Sequence, residues 1–208
     1  MATAFAGPLS RFYGREPAAA ARLRPGVEAW RGDLHAAVND KVKAQLQWDE
    51  GADVEFVTDL GDAGWMALRL FAFYAERTDV DWPDSTPPLL ELDNAWRAAV
   101  ETKFEKSRYG QLLPCSVWLP GDFPLTLRAP MPDGATAEIG SLGVLVDQLR
   151  WLNQRTFEAD AEAIASWREL PAPPACPLLD GARRGYAALW AAAEFALRRQ
   201  VPLLVREV

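Results

Sequence analysis

Between residues 63 and 77 the chain runs Trp65-Met66-Ala67-Leu68-Arg69-Leu70-Phe71-Ala72-Phe73-Tyr74, a helix-length segment that is apolar almost all round. A surface helix carries one apolar stripe and one polar face, so a helix without a polar face has to be enclosed by other elements. The segment therefore predicts a buried central helix. Asp62 is placed to cap its first turn, and Arg69 needs a partner or a way out to water. A chain of 208 residues supplies enough covering, because folding at this size buries roughly 70% of the unfolded surface.

The flanking sequence shows what does the covering. Residues 1–14 read as an irregular lead-in with Gly7-Pro8 and Gly14 as breakers. A short helix is expected from Pro17 to Leu23, interrupted at Arg24-Pro25-Gly26. Val27, Trp30, Leu34, Val38, Val42 and Leu46 then recur at helical steps, one face of an amphipathic helix that Gly51 ends. Val54-Glu55-Phe56-Val57 reads as a short strand and the Pro-rich residues 78–88 as a loop. A helix from Leu89 to Lys106 carries Leu92, Trp96, Val100 and Phe104 as a four-step core stripe. From Gln111 to Ile139 the period drops towards two, with strands at 115–119, 123–128 and 135–139 and turn signals at Pro120-Gly121 and Pro132-Asp133-Gly134. Gly140-Ser141 opens a helix with a Leu142, Leu145, Leu149, Leu152 stripe that continues towards Glu169. Four prolines between 171 and 177 form a rigid connector to a last helix over 180–200, and Val201–Val205 reads as a terminal strand or an apolar tail.

The expected architecture is α+β and mainly helical: about five helices with a small antiparallel β-meander. It is read as a single globular domain over 1–208, helical over 15–106, a β-meander over 112–139 and helical over 141–200.

Charge narrows the function classes. With 22 basic and 29 acidic side chains the formal net charge is −7, which argues against nucleic acid and against an anionic membrane surface as partners. The N-terminal residues lack the basic and apolar regions of a signal peptide, and no run approaches the ~18 apolar residues of a membrane span. A cytoplasmic location with both Cys115 and Cys176 reduced is expected. The excess of arginine over lysine, with much Ala and Pro, points to a high-GC bacterial genome. One histidine excludes zinc fingers, HExxH sites and di-iron helix bundles.

Few residues offer chemistry. His35 stands at the edge of an apolar helix face without a nucleophile or orienting group near it in sequence. Glu101 with Glu105, and Glu158 with Glu162, are pairs one helical turn apart; if all four met across a bundle they could hold Mg2+, the cofactor of an alternative reading as a carboxylate-based enzyme. The acidic run from Asp49 to Asp62 lacks the order of a calcium loop and reads as a solvated loop or a patch for a basic partner. Ser141 in Ile139-Gly140-Ser141-Leu142-Gly143 reads as a helix N-cap, since a nucleophile elbow needs Gly where Ile139 stands.

Aromatic residues are the least ordinary feature, with nine Trp, nine Phe and four Tyr. Trp30, Trp96, Phe104 and Trp190 fall on core stripes. Arg108, Tyr109, Trp118 and Asp122 fall near turns and combine the residue types that anchor interfaces, so they are the candidate binding residues. The expected function is a cytosolic, non-enzymatic protein-interaction module of adaptor or inhibitor type, without a cofactor and with a homo-oligomer left open. A ligand-binding protein with an apolar pocket between sheet and helices is a third reading.

Overall fold

The computed structural model describes residues 2–39, 45–77 and 80–207. Among them are β1 (Ala2–Ala6), α1 (Leu9–Tyr13), α2 (Pro17–Val38), β2 (Phe56–Gly61), α3 (Gly64–Tyr74), α4 (Asn94–Glu101), β3 (Val117–Leu119), β4 (Leu127–Pro130), β5 (Thr136–Ser141), α5 (Leu142–Leu152), α6 (Ala161–Ser166), α7 (Leu178–Arg199) and β6 (Leu203–Glu207). The fold is mixed α/β, with seven α-helices and one six-stranded mixed sheet among the described residues, in the order β2-β1-β6-β3-β5-β4.

Strand alternation divides the core in two. Ala2, Ala4 and Ala6 of β1, Trp118 of β3, and Leu203 and Val205 of β6 face a large cluster built from α3, α5 and α7. Phe5, Val117, Leu119, Ile139 and Leu204 face the other way, onto Val27, Leu34 and Val38 of α2 and onto Leu46 and Trp48 beyond it. α3 is enclosed as its composition requires, with only Met66 and Arg69 partly exposed. The Arg69 guanidinium donates from Nε to Leu113 O at 2.7 Å and lies 5.2 Å and 5.1 Å from the Trp65 and Trp96 rings. Burial lowers its pKa to about 10, which leaves it charged at neutral pH.

α3 and α7 approach through glycines. A Cβ on Gly185 would stand 2.1 Å from Gly64 O, and one on Gly181 would stand 2.7 Å from Ala67 Cβ. Such contact lets the backbones of the two helices touch.

The meander is corrected. β3 pairs with β5 in parallel, Val117 opposite Ile139, and β5 pairs antiparallel with β4. Pro120-Gly121 does not close a hairpin because the following loop is tied down by buried side chains. Gln111 Nε2 donates to Phe123 O and Leu125 O, and Ser141 Oγ donates to Gly121 O. The chain thus runs from β3 out to the edge strand β4 and returns as β5 between the two.

Other expectations also change. The irregular lead-in contains β1, an interior strand between β2 and β6. α2 runs through Pro25 without the expected interruption and ends at Val38 within the described residues; Val42 lies outside them. α4 stops at Glu101, where Lys103 (φ 52°) and Phe104 (φ 54°) turn left-handed. Of its expected stripe, Trp96 and Phe104 are buried, whereas Leu92 and Val100 are exposed. The long helix after Ser141 is broken by Asn153, whose amide pairs with both Ala159 N and Ala159 O, and by Glu158 at φ 48°. Asp160 then caps α6 by accepting from Ala163 N at 2.8 Å. The terminal segment is a strand, β6, interior to the sheet between β1 and β3.

Glycine substitutions test the α3–α7 contact. Gly185→Ala drives a Cβ into backbone and is expected to cost roughly 3 kcal/mol or more by urea denaturation. Gly26→Ala, where the added Cβ meets nothing within 4 Å inside α2, should instead stabilise by roughly 0.5–1 kcal/mol. A second test concerns Glu50, buried beside α1: Oε1 accepts from Leu9 N at 3.0 Å and from Trp48 Nε1, and Oε2 accepts from Ser10 N at 2.8 Å. Glu50→Gln leaves one acceptor for three donors, so a loss of about 1–3 kcal/mol in the same assay is expected.

Candidate functional site: an arginine–tryptophan groove

After α3 the chain turns outward through Ala75 and Glu76, and the Glu76 carboxylate holds the segment that follows α4. It accepts from Ser107 Oγ at 2.6 Å and from Arg108 N at 2.6 Å. Ser107 Oγ in turn accepts from Tyr109 N at 3.0 Å. These bonds place Arg108 on the surface and turn the Tyr109 ring inward, 1% exposed. From the other side, α5 brings Trp151 and the π-helical turn Asn153–Phe157 brings Arg155.

Together Ala75, Glu76, Arg108, Tyr109, Trp151 and Arg155 line an open groove of about 420 Å³. Trp151 is 39% exposed. The Arg108 guanidinium lies 5.3 Å from its ring centroid and that of Arg155 5.8 Å, both within cation–π range. Neither arginine joins an ion pair among the described residues. Burial pushes the Tyr109 hydroxyl up to about 12; Glu76 adds to the shift, and Arg155 and Arg108 oppose it. A neighbouring depression of about 520 Å³ shares Glu76 and is lined by α4 and by Glu105 and Lys106.

Two of the four expected binding residues, Arg108 and Tyr109, thus line one groove. Trp118 does not: it is 0% exposed on the interior strand β3, edge-on to Trp65 at 6.2 Å, and cannot meet a partner. Asp122 is exposed on the loop after β3 and lines neither cavity. Trp151 and Arg155 escaped the sequence reading. Their signal is an aromatic off the Leu142–Leu152 stripe with a basic residue four positions on.

The four glutamates of the Mg2+ reading, Glu101, Glu105, Glu158 and Glu162, are all exposed. No group of three or more His, Cys, Asp or Glu side chains able to share a metal ion occurs among the described residues, so these four are not brought together. The reason lies in the fold: Glu158 sits in the left-handed break after α5, out of phase with Glu162 on α6.

The remaining candidates have structural positions. His35 is half-buried on α2. Ser141 caps α5, accepting from Val144 N, and its own N–H donates to Gln111 Oε1 at 2.7 Å, so the helix start is filled. The acidic run is engaged internally: Glu50 as above, Asp53 and Glu55 with Arg11, and Asp59 with Gly61 N and Arg184. Cys115 and Cys176 are buried free thiols, and burial pushes Cys115 up to about 12, opposite to the shift that activates a thiol. No helix among the described residues is long and apolar enough to cross a membrane.

The chain matches no protein-family model, and no curated protein or solved structure is significantly similar to it.

The raised groups set an alkaline limit. Cys115 rises from 9.0, and Tyr109 from 10.0, to about 12 in the fold. The folded protein therefore holds protons that the unfolded chain releases. Their stabilising contribution is complete below pH 9 and is lost as pH rises towards 12. Urea midpoints should fall over that range. Cys115→Ala should remove the part of the fall that begins near pH 9, and a midpoint independent of pH there would contradict the assignment.

Proposed function

We infer that this chain is a non-enzymatic protein-interaction module whose Arg108–Trp151–Arg155 groove receives an acidic segment of a partner protein. One observation carries the reading: a half-exposed tryptophan with two guanidinium groups over its ring, neither in an ion pair among the described residues. Tryptophan, tyrosine and arginine are the residue types that dominate interface energetics. A guanidinium laid on an aromatic ring has lost rotamer freedom already, so less is lost when it meets a carboxylate. Glu76 positions the arrangement through Ser107 and the Arg108 backbone, and its single charge is outweighed by the two guanidinium groups that share the groove. The groove is a local basic site on a chain of net charge −7, which favours a segment whose charge contacts are local rather than a strongly acidic whole protein. The two buried thiols are unpaired, which supports a reducing compartment.

Selection from a random peptide display library against the full chain tests this. Sequences bearing Asp or Glu beside an apolar residue should be enriched, and their affinity should weaken as salt is raised. Paired Arg108→Ala and Arg155→Ala substitutions should reduce binding about tenfold or more, corresponding to 1.4 kcal/mol or above, without lowering the urea midpoint, since both side chains are exposed. Enrichment of basic peptides, or acidic peptides held equally by the variant, would overturn the reading.

A further inference from the structure

The second face of the sheet is only partly covered. α2, with Leu46 and Trp48, lies over β3, β5 and the Leu204 side of β6. Beyond them Val57 of β2 is 56% exposed, although its cross-strand neighbour Phe5 is buried. A cavity of about 390 Å³ occupies this uncovered corner. Its floor is formed by Thr3, Phe5 and Val57, and its wall by Phe12 of α1. The Phe5 and Phe12 rings lie 5.4 Å apart at 56°.

Charge around this apolar floor is one-sided. Arg11, Arg15 and Arg206 line the cavity, against the single carboxylate Glu55. Arg11 is engaged by Asp53 and Glu55. Arg15 and Arg206 are exposed, and neither makes an ion pair among the described residues. They come from opposite ends of the chain, and Arg206 is held in register opposite Thr3 by the β1–β6 pairing. The result is a rigid apolar floor with two available guanidinium groups at its rim.

We propose that this cavity is a binding site for a small aromatic carboxylate. The ring lies on Phe5, Phe12 and Val57, and the carboxylate is met by Arg15 and Arg206. Three features select this chemistry. Two tilted phenyl rings offer a third ring edge-to-face and offset contacts. Guanidinium groups bind carboxylate in paired hydrogen bonds. The volume lies at the lower end of the range for small-molecule sites, and so suits a compact ring better than a folded protein segment. The site is separate from the Trp151 groove, with which it shares no residue.

Calorimetry and ligand-observed NMR with 4-phenylbenzoate, its neutral amide and linear decanoate test the site on the full chain. The expected result is binding of 4-phenylbenzoate below about 1 mM, with the amide about tenfold weaker or more. Paired Arg15→Gln and Arg206→Gln substitutions should weaken the acid to the level of the amide while leaving the urea midpoint unchanged. Phe12→Leu should weaken acid and amide alike. Trp151→Ala should leave binding as it is. Absence of binding, equal affinity for acid and amide, tighter binding of decanoate, or loss of binding in the Trp151 variant would each overturn the proposal.

Discussion

The closeness of α3 and α7 is the constraint on which the other elements depend. Gly64 meets Gly185 backbone to backbone, and Gly181 meets Ala67. α3 needs cover on all sides, and α7 supplies it without spacing side chains between the two axes. α7 in turn lies over β2, β1 and β6, where Ala2, Ala4 and Ala6 of β1 leave room for a helix to lie close. Small residues at these contacts are therefore the condition for a dense interior. They allow the large aromatic side chains, Trp65, Phe73, Trp96, Trp118 and Tyr186, to fill the space around the contact.

A second layer of constraint comes from polar side chains that bind backbone. Glu50 gathers the start of α1 and the Trp48 indole. Gln111 ties the loop before β4 to the start of α5, and Gln148 Oε1 accepts from Gln111 N and Leu112 N. Buried polar groups persist when they are hydrogen-bonded, and these satisfy loops that lack a ladder of their own. The same logic accounts for the acidic run around residues 49–62. It resembles a free charged surface in sequence, yet Glu50, Asp53, Glu55 and Asp59 each have an internal partner. Arg108 and Arg155 at the Trp151 groove, and Arg15 and Arg206 beside Val57, join no ion pair among the described residues.

Both proposed sites stand on elements held by the core. The groove is framed by the turn after α3 and the end of α5, and the cavity by paired strands and α1. Preorganisation of this kind lowers the entropy lost on binding, the main opposing term for a small contact area. Of the four expected binding residues, two line the groove and two do not. Arg108 and Tyr109 lie where the chain is pinned by Glu76, whereas Trp118 lies on a strand flanked on both sides by others.

Local composition alone determined the buried α3, the N-cap role of Ser141, the amphipathic stretch from Val27 to Val38, the Leu142–Leu152 stripe and the long last helix. These depend on periodicity and on bonds within a few residues, which a sequence displays directly. Arg108 and Tyr109 were legible as a turn carrying interface residue types. Tertiary structure decided the rest. β1 and β6 are interior strands because residues 2–6 and 203–207 pair across the whole length of the chain, and nothing in either segment names its partner. The parallel β3–β5 pairing arose because Gln111 and Ser141 hold the intervening loop away from a hairpin. Trp151 and Arg155 joined Arg108 only when α5 packed beside the turn after α3, and Phe5, Arg15, Val57 and Arg206 met only through the sheet order. Side chains brought together over such sequence distances leave no local period behind. Their association is a property of packing, decided where burial and backbone hydrogen bonding are satisfied together.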